Sequence, residues 1–272
     1  MAPKTAIVTG ATRGIGRATA VALARRGYDV AITGRTRKEG DAVALPEARQ
    51  MPEVAAAGGS LESTAAAIEA HGQRAVPLVL DLLDGSSLAP LAERAVRELG
   101  HVDVLVNNAI YVGPYAENRL LDTPPHELEK RVFGNVTAQL LFLQPVVRHM
   151  VDRGMGTVAN MTSAAAYVRP RAVAGEGGWS LIYGVSKAGF HRIAEQLAIE
   201  YPQLTVVNVQ PGQVITERVA AAGEKLAFVA RVGAPVDIVG EATARIVEEI
   251  GQFDTGSTIQ IQDQARRWGM LA

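Results

Sequence analysis

Lys4-Thr5-Ala6-Ile7-Val8-Thr9-Gly10-Ala11-Thr12-Arg13-Gly14-Ile15-Gly16 is the stretch on which the fold turns. Residues 4–9 read as a short apolar strand, and a helical pattern begins near residue 14 and runs to 26. Between them lies a turn rich in glycine. A strand delivered through such a turn into a helix amino terminus presents free backbone N–H groups and a positive dipole end, which suits a phosphate. The glycines let a backbone approach that phosphate and let the helix pack on the strand. The spacing is Gly-x-x-x-Gly-x-Gly, and a tight turn with no ligand is the plain alternative.

Outward from that loop, short apolar runs alternate with longer amphipathic ones. Further strands are predicted at 28–33, 75–80, 102–106, 156–161, 205–209 and 257–261, and helices at 61–71, 87–99, 125–150, 181–200 and 235–250. In the 125–150 segment Leu128, Val132, Val136, Leu140, Leu143, Val147 and Met150 recur at steps of three and four, an apolar stripe along one face. Strands and helices that alternate in this way describe βαβ units and a parallel sheet. The expected fold is α/β: a Rossmann-type, doubly wound, seven-stranded parallel sheet with helices on both faces. A single domain over residues 1–272 is expected. Residues 36–60 and 169–178 interrupt the rhythm as loop insertions.

Bulk properties remove several classes of function. The chain has 272 residues, 48% of them hydrophobic and 20% charged, enough for a sizeable core. A formal net charge of −1 gives no bulk attraction to nucleic acid or to an anionic membrane. The absence of cysteine excludes disulfides, thiol nucleophiles and thiolate metal sites, and fits a reducing compartment. No secretory pattern opens the chain and no apolar stretch approaches the ~20 residues of a membrane span. The expected location is the cytoplasm, with neither nucleic acid nor membrane as partner. His71, His101, His126, His149 and His191 lack the spacing of a local zinc motif. His191, one turn beyond Lys187, either shares that residue's side of the helix or, as expected first, sits in surface packing.

The second strand should end beside an adenosine ribose. NAD calls for Asp or Glu at that tip, and NADP for a cation. The chain offers Thr33-Gly34-Arg35, with Arg13 in the glycine loop as a second guanidinium. Two planar donor forks suit a 2′-phosphate. NADP(H) is therefore the expected cofactor, ahead of NAD(H).

Tyr183 and Lys187 stand four residues apart in Tyr-Gly-Val-Ser-Lys, so on a helix they share a face. A phenol with a pKa of about 10 is a poor acid–base catalyst at neutral pH, and a neighbouring cation lowers it. Taken alone such a pair is ordinarily a solvent-facing helical couple.

The ordered set resembles the short-chain dehydrogenase/reductase family over nearly the whole chain. The loop from Thr9 through Gly10, Thr12, Arg13, Gly14 and Ile15 to Gly16 matches its cofactor motif. Asp81, followed by Leu82, matches its adenine-contacting acid. Asn107-Asn108-Ala109 matches its Asn-Asn-Ala-Gly motif, with Ile110 in place of the glycine. Asn135 and Ser163 fall at its catalytic asparagine and serine, and Tyr183 with Lys187 forms its Tyr-x-x-x-Lys signature. The run Pro211-Gly212-Gln213-Val214-Ile215-Thr216 resembles the segment that holds the nicotinamide, which places Val214 and Thr216 in the cofactor site.

The resemblance implies hydride transfer between the nicotinamide and a carbonyl or secondary alcohol. Tyr183 would be the general acid–base and Lys187 would depress its pKa and bind the nicotinamide ribose. Ser163 would hold the substrate oxygen, and Asn135 would support a water chain from Lys187. It also implies a substrate lid, here residues 217–233. With Val219, Ala220, Ala221, Leu226, Phe228 and Val229, that lid suits a small to medium hydrophobic carbonyl or alcohol. Tyr111, Val112, Tyr115, Tyr167 and Val168 are candidate walls; Trp179 either lines a pocket or plugs the core. Pairing through the helices at 125–150 and 181–200 would give a homodimer or homotetramer. The competing functions are a non-catalytic NADP(H) sensor and an adenosylmethionine-dependent methyltransferase. The sensor has no use for a proton relay, and the methyltransferase leaves Arg35 and the Tyr-Lys pair without a role.

Overall fold

The computed structural model describes residues 3–44, 51–52 and 56–272; parts of the expected 36–60 insertion lie outside them. Strand β1 (Lys4–Val8) feeds the glycine loop and helix α1 (Gly14–Arg25). Strand β2 (Tyr28–Gly34), helix α2 (Leu61–Glu69), β3 (Ala75–Val79), helix α3 (Gly85–Leu99) and β4 (Val104–Asn107) complete the first half. Helices α4 (Pro125–Val132) and α5 (Ala138–Asp152) follow, joined by a π-turn at Phe133–Thr137, and then β5 (Thr157–Met161). Helix α6 (Leu181–Glu200) and β6 (Thr205–Gln210) lead to the short pair β7 (Val214–Ile215) and β8 (Ala234–Pro235), with helices α7 (Glu217–Ala221) and α8 (Ala227–Val232) between them. Helix α9 (Val236–Glu248), β9 (Thr258–Gln260) and helix α10 (Ile261–Arg267) close the chain.

The main sheet has seven parallel strands in the order β3-β2-β1-β4-β5-β6-β9. Its direction reverses beside β1 and β4, which opens a crevice at their carboxyl ends where open α/β sheets bind ligands. Alternation along each strand builds two cores. Ala6, Val8, Val30, Ile32, Val104 and Val106 meet α1 and α9 on one face. Ile7, Ala31, Leu78, Leu105 and Val158 meet α3, α5 and α6 on the other. Strands buried on both faces read as continuous apolar runs, which is why the sequence reveals them so clearly.

Two expectations are corrected. The 125–150 segment is not one helix with one apolar face. Val132 and Leu140, both in the predicted stripe, are 40% and 46% exposed, whereas Glu127, Arg131, Asn135 and Gln139 are buried. A π-turn adds a residue to the i→i−4 ladder and rotates the register, and such turns gather at functional sites. His191, expected in surface packing, is buried beneath the sheet's edge. Its Nδ1 lies 2.9 Å from Thr162 Oγ1, and burial lowers its pKa from the ordinary histidine value against the pull of Glu195.

Candidate functional site

The cleft at the topological switch has a volume of about 280 Å³ and a floor made by the glycine loop and the β4 tip. Thr9 fastens these together, because its Oγ1 accepts from the N–H groups of Asn108 and Ala109, each at 2.9 Å. Asn108 Nδ2 returns a bond of 2.8 Å to the Thr9 carbonyl. Gly10 is left-handed at φ +68°, and a Cβ there would come within 2.8 Å of the Ala109 Cα. At Gly16 a Cβ would meet the Gly10 carbonyl oxygen and come within 2.6 Å of the Asn108 amide nitrogen.

The loop's anion-binding character is visible in a stand-in. Gly14 N–H donates to the Glu217 carboxylate at 2.9 Å, so an acidic oxygen already sits at the amino terminus of α1. That carboxylate marks where a phosphate oxygen would be received. At the β2 tip Arg13 and Arg35 come close enough that Arg35 helps burial lower the Arg13 pKa. Arg13 Nη1 also donates to the Gly58 carbonyl at 2.8 Å, so the described part of the 36–60 insertion braces the pair. Thr12, Ile15, Asp81 and Leu82 line the same cleft, as do Asn108 and Thr216. Asp81 accepts from Leu83 N–H at 2.9 Å, which orders the turn after β3. Val214 is buried in the β7–β8 pair instead of facing the cleft.

Tyr183, Ser163 and Lys187 meet where β5 and α6 converge. Ser180 caps α6 and places Tyr183 in its first turn. Ser163 caps the short turn Ala164–Ala166, and its hydroxyl lies near enough to the Tyr183 phenol to favour its ionised form. Burial raises the phenol pKa above its ordinary value, against opposing pulls from the Ser163 bond and the guanidinium groups of Arg218 and Arg131. The last two are unexpected: the cations acting on the phenol come from the lid and from α4, whereas Lys187 Nζ donates to the Met161 carbonyl at 2.9 Å.

Lys187 is 6% exposed, and burial pulls its pKa from 10.5 to about 8. The folded state therefore binds this proton less tightly than the unfolded chain, and stability rises with pH between about 8 and 10.5. Lys187→Met is expected to raise the melting temperature at pH 7, where the native state carries the cost of a buried ammonium. That cost is at most roughly 3 kcal/mol for such a gap. The advantage should shrink as the pH passes 8 toward 10; thermal melts across that range check it, and a constant gap would show that charge is not the cause.

Asn135 sits in the π-turn at 3% exposure. Its Oδ1 accepts from Tyr111 N–H at 2.7 Å and its Nδ2 donates to the Tyr111 carbonyl at 3.1 Å and to Ser186 Oγ at 3.3 Å. Ser186 in turn donates to the Tyr183 carbonyl at 3.0 Å. The side chain thus ties the cleft floor to the first turn of α6. Tyr111 and Val112 line the cleft and Ile110 faces it, but Tyr115, Tyr167 and Val168 lie outside it. Tyr167 instead accepts from Gln260 Nε2 at 3.0 Å, and Trp179, 37% exposed, plugs no core. The lid's Phe228 is 56% exposed. Sequence reading singled out neither Arg131 nor Arg218, and knew Thr9 and Glu217 only as the first residues of the cofactor loop and the lid; the signal for the arginine on α4 was masked by the register change.

The family model for short chain dehydrogenase matches residues 4–56 and 40–227. The chain belongs to the short-chain dehydrogenase/reductase family. It is 32% identical over 269 residues to an uncharacterized oxidoreductase of Mycobacterium tuberculosis, covering 95% of this chain and 90% of that one. It is 29% identical to the L-rhamnose 1-dehydrogenase (NAD(P)(+)) of a Sphingomonas species, covering 95% of this chain and 94% of that one. A short chain dehydrogenase from Burkholderia cenocepacia, solved in complex with NADP, superposes with a TM-score of 0.74 at 28% identity, covering 94% of this chain and 95% of that one. The chain is thus an oxidoreductase of this family acting on alcohol or carbonyl substrates, and the family binds NAD(P). Among the described residues no helix is long and apolar enough to cross a membrane, and no group of acidic and histidine side chains could hold a metal ion.

Proposed function

We propose that this is an NADP(H)-dependent, cytoplasmic, single-domain oxidoreductase in which Tyr183 exchanges the proton. The observation that carries it is the buried Tyr183 phenol, near enough to Ser163 and to the cleft-lining Arg218 to feel both, together with a cleft floor where a Cβ at Gly10 or Gly16 would collide. The residues present fit a dinucleotide. Gly10, Thr12, Gly14, Ile15 and Gly16 would take its phosphates, Arg13 and Arg35 its 2′-phosphate, Asp81 and Leu82 its adenine, and Asn108 and Thr216 its nicotinamide half, with Val214 holding the Thr216 segment from within the β7–β8 pair. When bound, its nicotinamide supplies or accepts the hydride. Ser163 orients the substrate oxygen, and Tyr183 gives that oxygen a proton in reduction or takes one in oxidation. Lys187 binds the nicotinamide ribose and, poised near neutral pH, feeds protons toward the phenol. Asn135 acts as a positioning residue for Tyr111 and α6, and its backbone is left to support a water relay.

Turnover of a panel of ketones, aldehydes and secondary alcohols, followed by nicotinamide absorbance, tests the reading. Binding of NADPH with no turnover of any member would favour a sensor. Cofactor choice has its own test. Arg35→Ser is expected to weaken NADPH binding about tenfold or more by fluorescence titration, the scale of a lost charge-assisted pair, with NADH little changed. Equal losses for both cofactors would remove Arg35 from the 2′-phosphate.

The exposed apolar side chains of Val132 and Leu140, with Leu181 and Val185 on α6, form a face suited to a second copy. A homodimer or homotetramer follows, and a monomer mass by light scattering at micromolar concentration would contradict it.

A further inference from the structure

Arg131 is 1% exposed, deeper than almost any guanidinium in a soluble domain. Its Nη2 donates to the Pro114 carbonyl at 2.9 Å, while its Nε is buried without a hydrogen-bond partner. The nearest acid on its own helix, Glu127, is already engaged by Lys130 Nζ at 2.9 Å and by the Tyr111 hydroxyl at 3.0 Å. A buried cation with an unmet donor is expensive, and proteins retain one where something anionic completes it.

A second guanidinium borders the same segment. Arg218, on the lid helix α7, lines the cleft together with Tyr111, Val112 and Gly113. The two arginines repel one another, and both act on the Tyr183 phenol, so the three groups share one neighbourhood. Arg131 is held at the Pro114 carbonyl and Arg218 lines the cleft with Tyr111, Val112 and Gly113, so both guanidinium groups border the 111–114 segment.

We propose that Arg131 and Arg218 receive a carboxylate of the substrate, so that the protein acts on hydroxy acids or oxo acids. A carboxylate fits because guanidinium presents paired donors in one plane and carboxylate presents paired acceptors. Partial burial at the site makes each charge-assisted bond worth more than it is in water. The inference names the substrate class for the oxidoreductase reading and rests on it.

The experiment compares short-chain and ring-bearing hydroxy acids with their own primary amides, using the protein loaded with NADPH so that nothing turns over. Binding is read by calorimetry. At least one acid should bind about tenfold or more tighter than its amide, as one charge-assisted bond implies. Arg218→Gln should bring that ratio toward one, while NADPH affinity, read by fluorescence, stays within about twofold. The fluorescence arm separates an arginine that holds substrate from one that holds the cofactor's pyrophosphate. Arg131→Gln should do the same if the variant folds, and Arg218→Gln decides the matter if it does not. Acids that bind no tighter than amides, or a preference that survives Arg218→Gln, would overturn the proposal. The two readings fail separately: acid binding without turnover of any acid by the enzyme with NADP+ would sink the catalytic role and leave the carboxylate site standing.

Discussion

Tyr183→Phe is expected to lower kcat/KM about a thousandfold or more with any substrate the parent turns over, within the range for loss of a general acid–base. NADPH binding should change by less than about twofold, because one oxygen is removed and the ring is kept. Ser180 still caps α6, Ser186 still bonds to the residue's carbonyl, and Lys187 still holds the Met161 carbonyl. The variant should therefore fold and bind while failing at the proton step. In the parent the direction of the reaction sets the pH response. Reduction needs the phenol protonated and should fade as pH rises through its pKa, whereas oxidation needs phenolate and should grow. Burial places that transition above the ordinary tyrosine value in the free protein, less the pull of Ser163, Arg218 and Arg131. Steady-state rates and fluorescence titration on the same preparation check both halves; parent-like turnover in Tyr183→Phe would assign the proton elsewhere.

Gly16→Val should have a comparably large effect by a different route. The first atom added meets the Gly10 carbonyl and the Asn108 amide, which together form the floor of the cleft. Neither is the loose end of a flexible side chain, since Asn108 Nδ2 is tied to the Thr9 carbonyl at 2.8 Å. Overpacking of this kind costs about 1–3 kcal/mol of stability. The larger loss is in the dinucleotide, whose phosphates need close approach to the same backbone, and affinity should fall about a hundredfold or more. Gly27→Ala is the control. Gly27 is left-handed at φ +84° with nothing within 4 Å of a Cβ, so it should cost about 1 kcal/mol through backbone strain alone and leave NADPH affinity unchanged. Chemical denaturation and fluorescence titration separate these outcomes.

Much of the fold was legible because each strand is an apolar run set off by turn residues. The strands predicted at 4–9, 28–33 and 75–80 differ from β1, β2 and β3 only at their ends. Short or re-registered elements were not legible. The β7–β8 pair spans two residues a strand, too few for any periodicity. Ile261 was read as strand but begins α10, where Arg266 and Arg267 close the last turn. The π-turn was invisible for a physical reason: the i, i+3, i+4 template assumes an unbroken ladder, and one extra residue turns Arg131 and Asn135 inward.

The same distinction applies to the site. Gly16, Arg35, Ser163, Tyr183 and Lys187 stand in short motifs whose spacing carries their meaning; Gly16 and Arg35 line the cleft, whereas Ser163, Tyr183 and Lys187 gather at the β5–α6 junction outside its lining. Glu217 and Arg218 come from α7 and Arg131 from α4, elements that only the folded chain brings near the cleft. Nothing in their local sequence distinguishes them from surface charges. The lysine shows the limit of local reasoning most clearly, for the i,i+4 spacing is real and yet its ammonium is aimed at the Met161 carbonyl.

A crystal structure with NADP+ bound tests the central claim most directly, through the placement of the Tyr183 hydroxyl relative to the nicotinamide C4. The expected result has the ring seated by Thr216 with C4 facing the Tyr183 and Ser163 oxygens across a gap the size of a reacting carbon, and Glu217 moved off Gly14. A nicotinamide bound with C4 turned away, or protein lying between it and the phenol, would contradict the account.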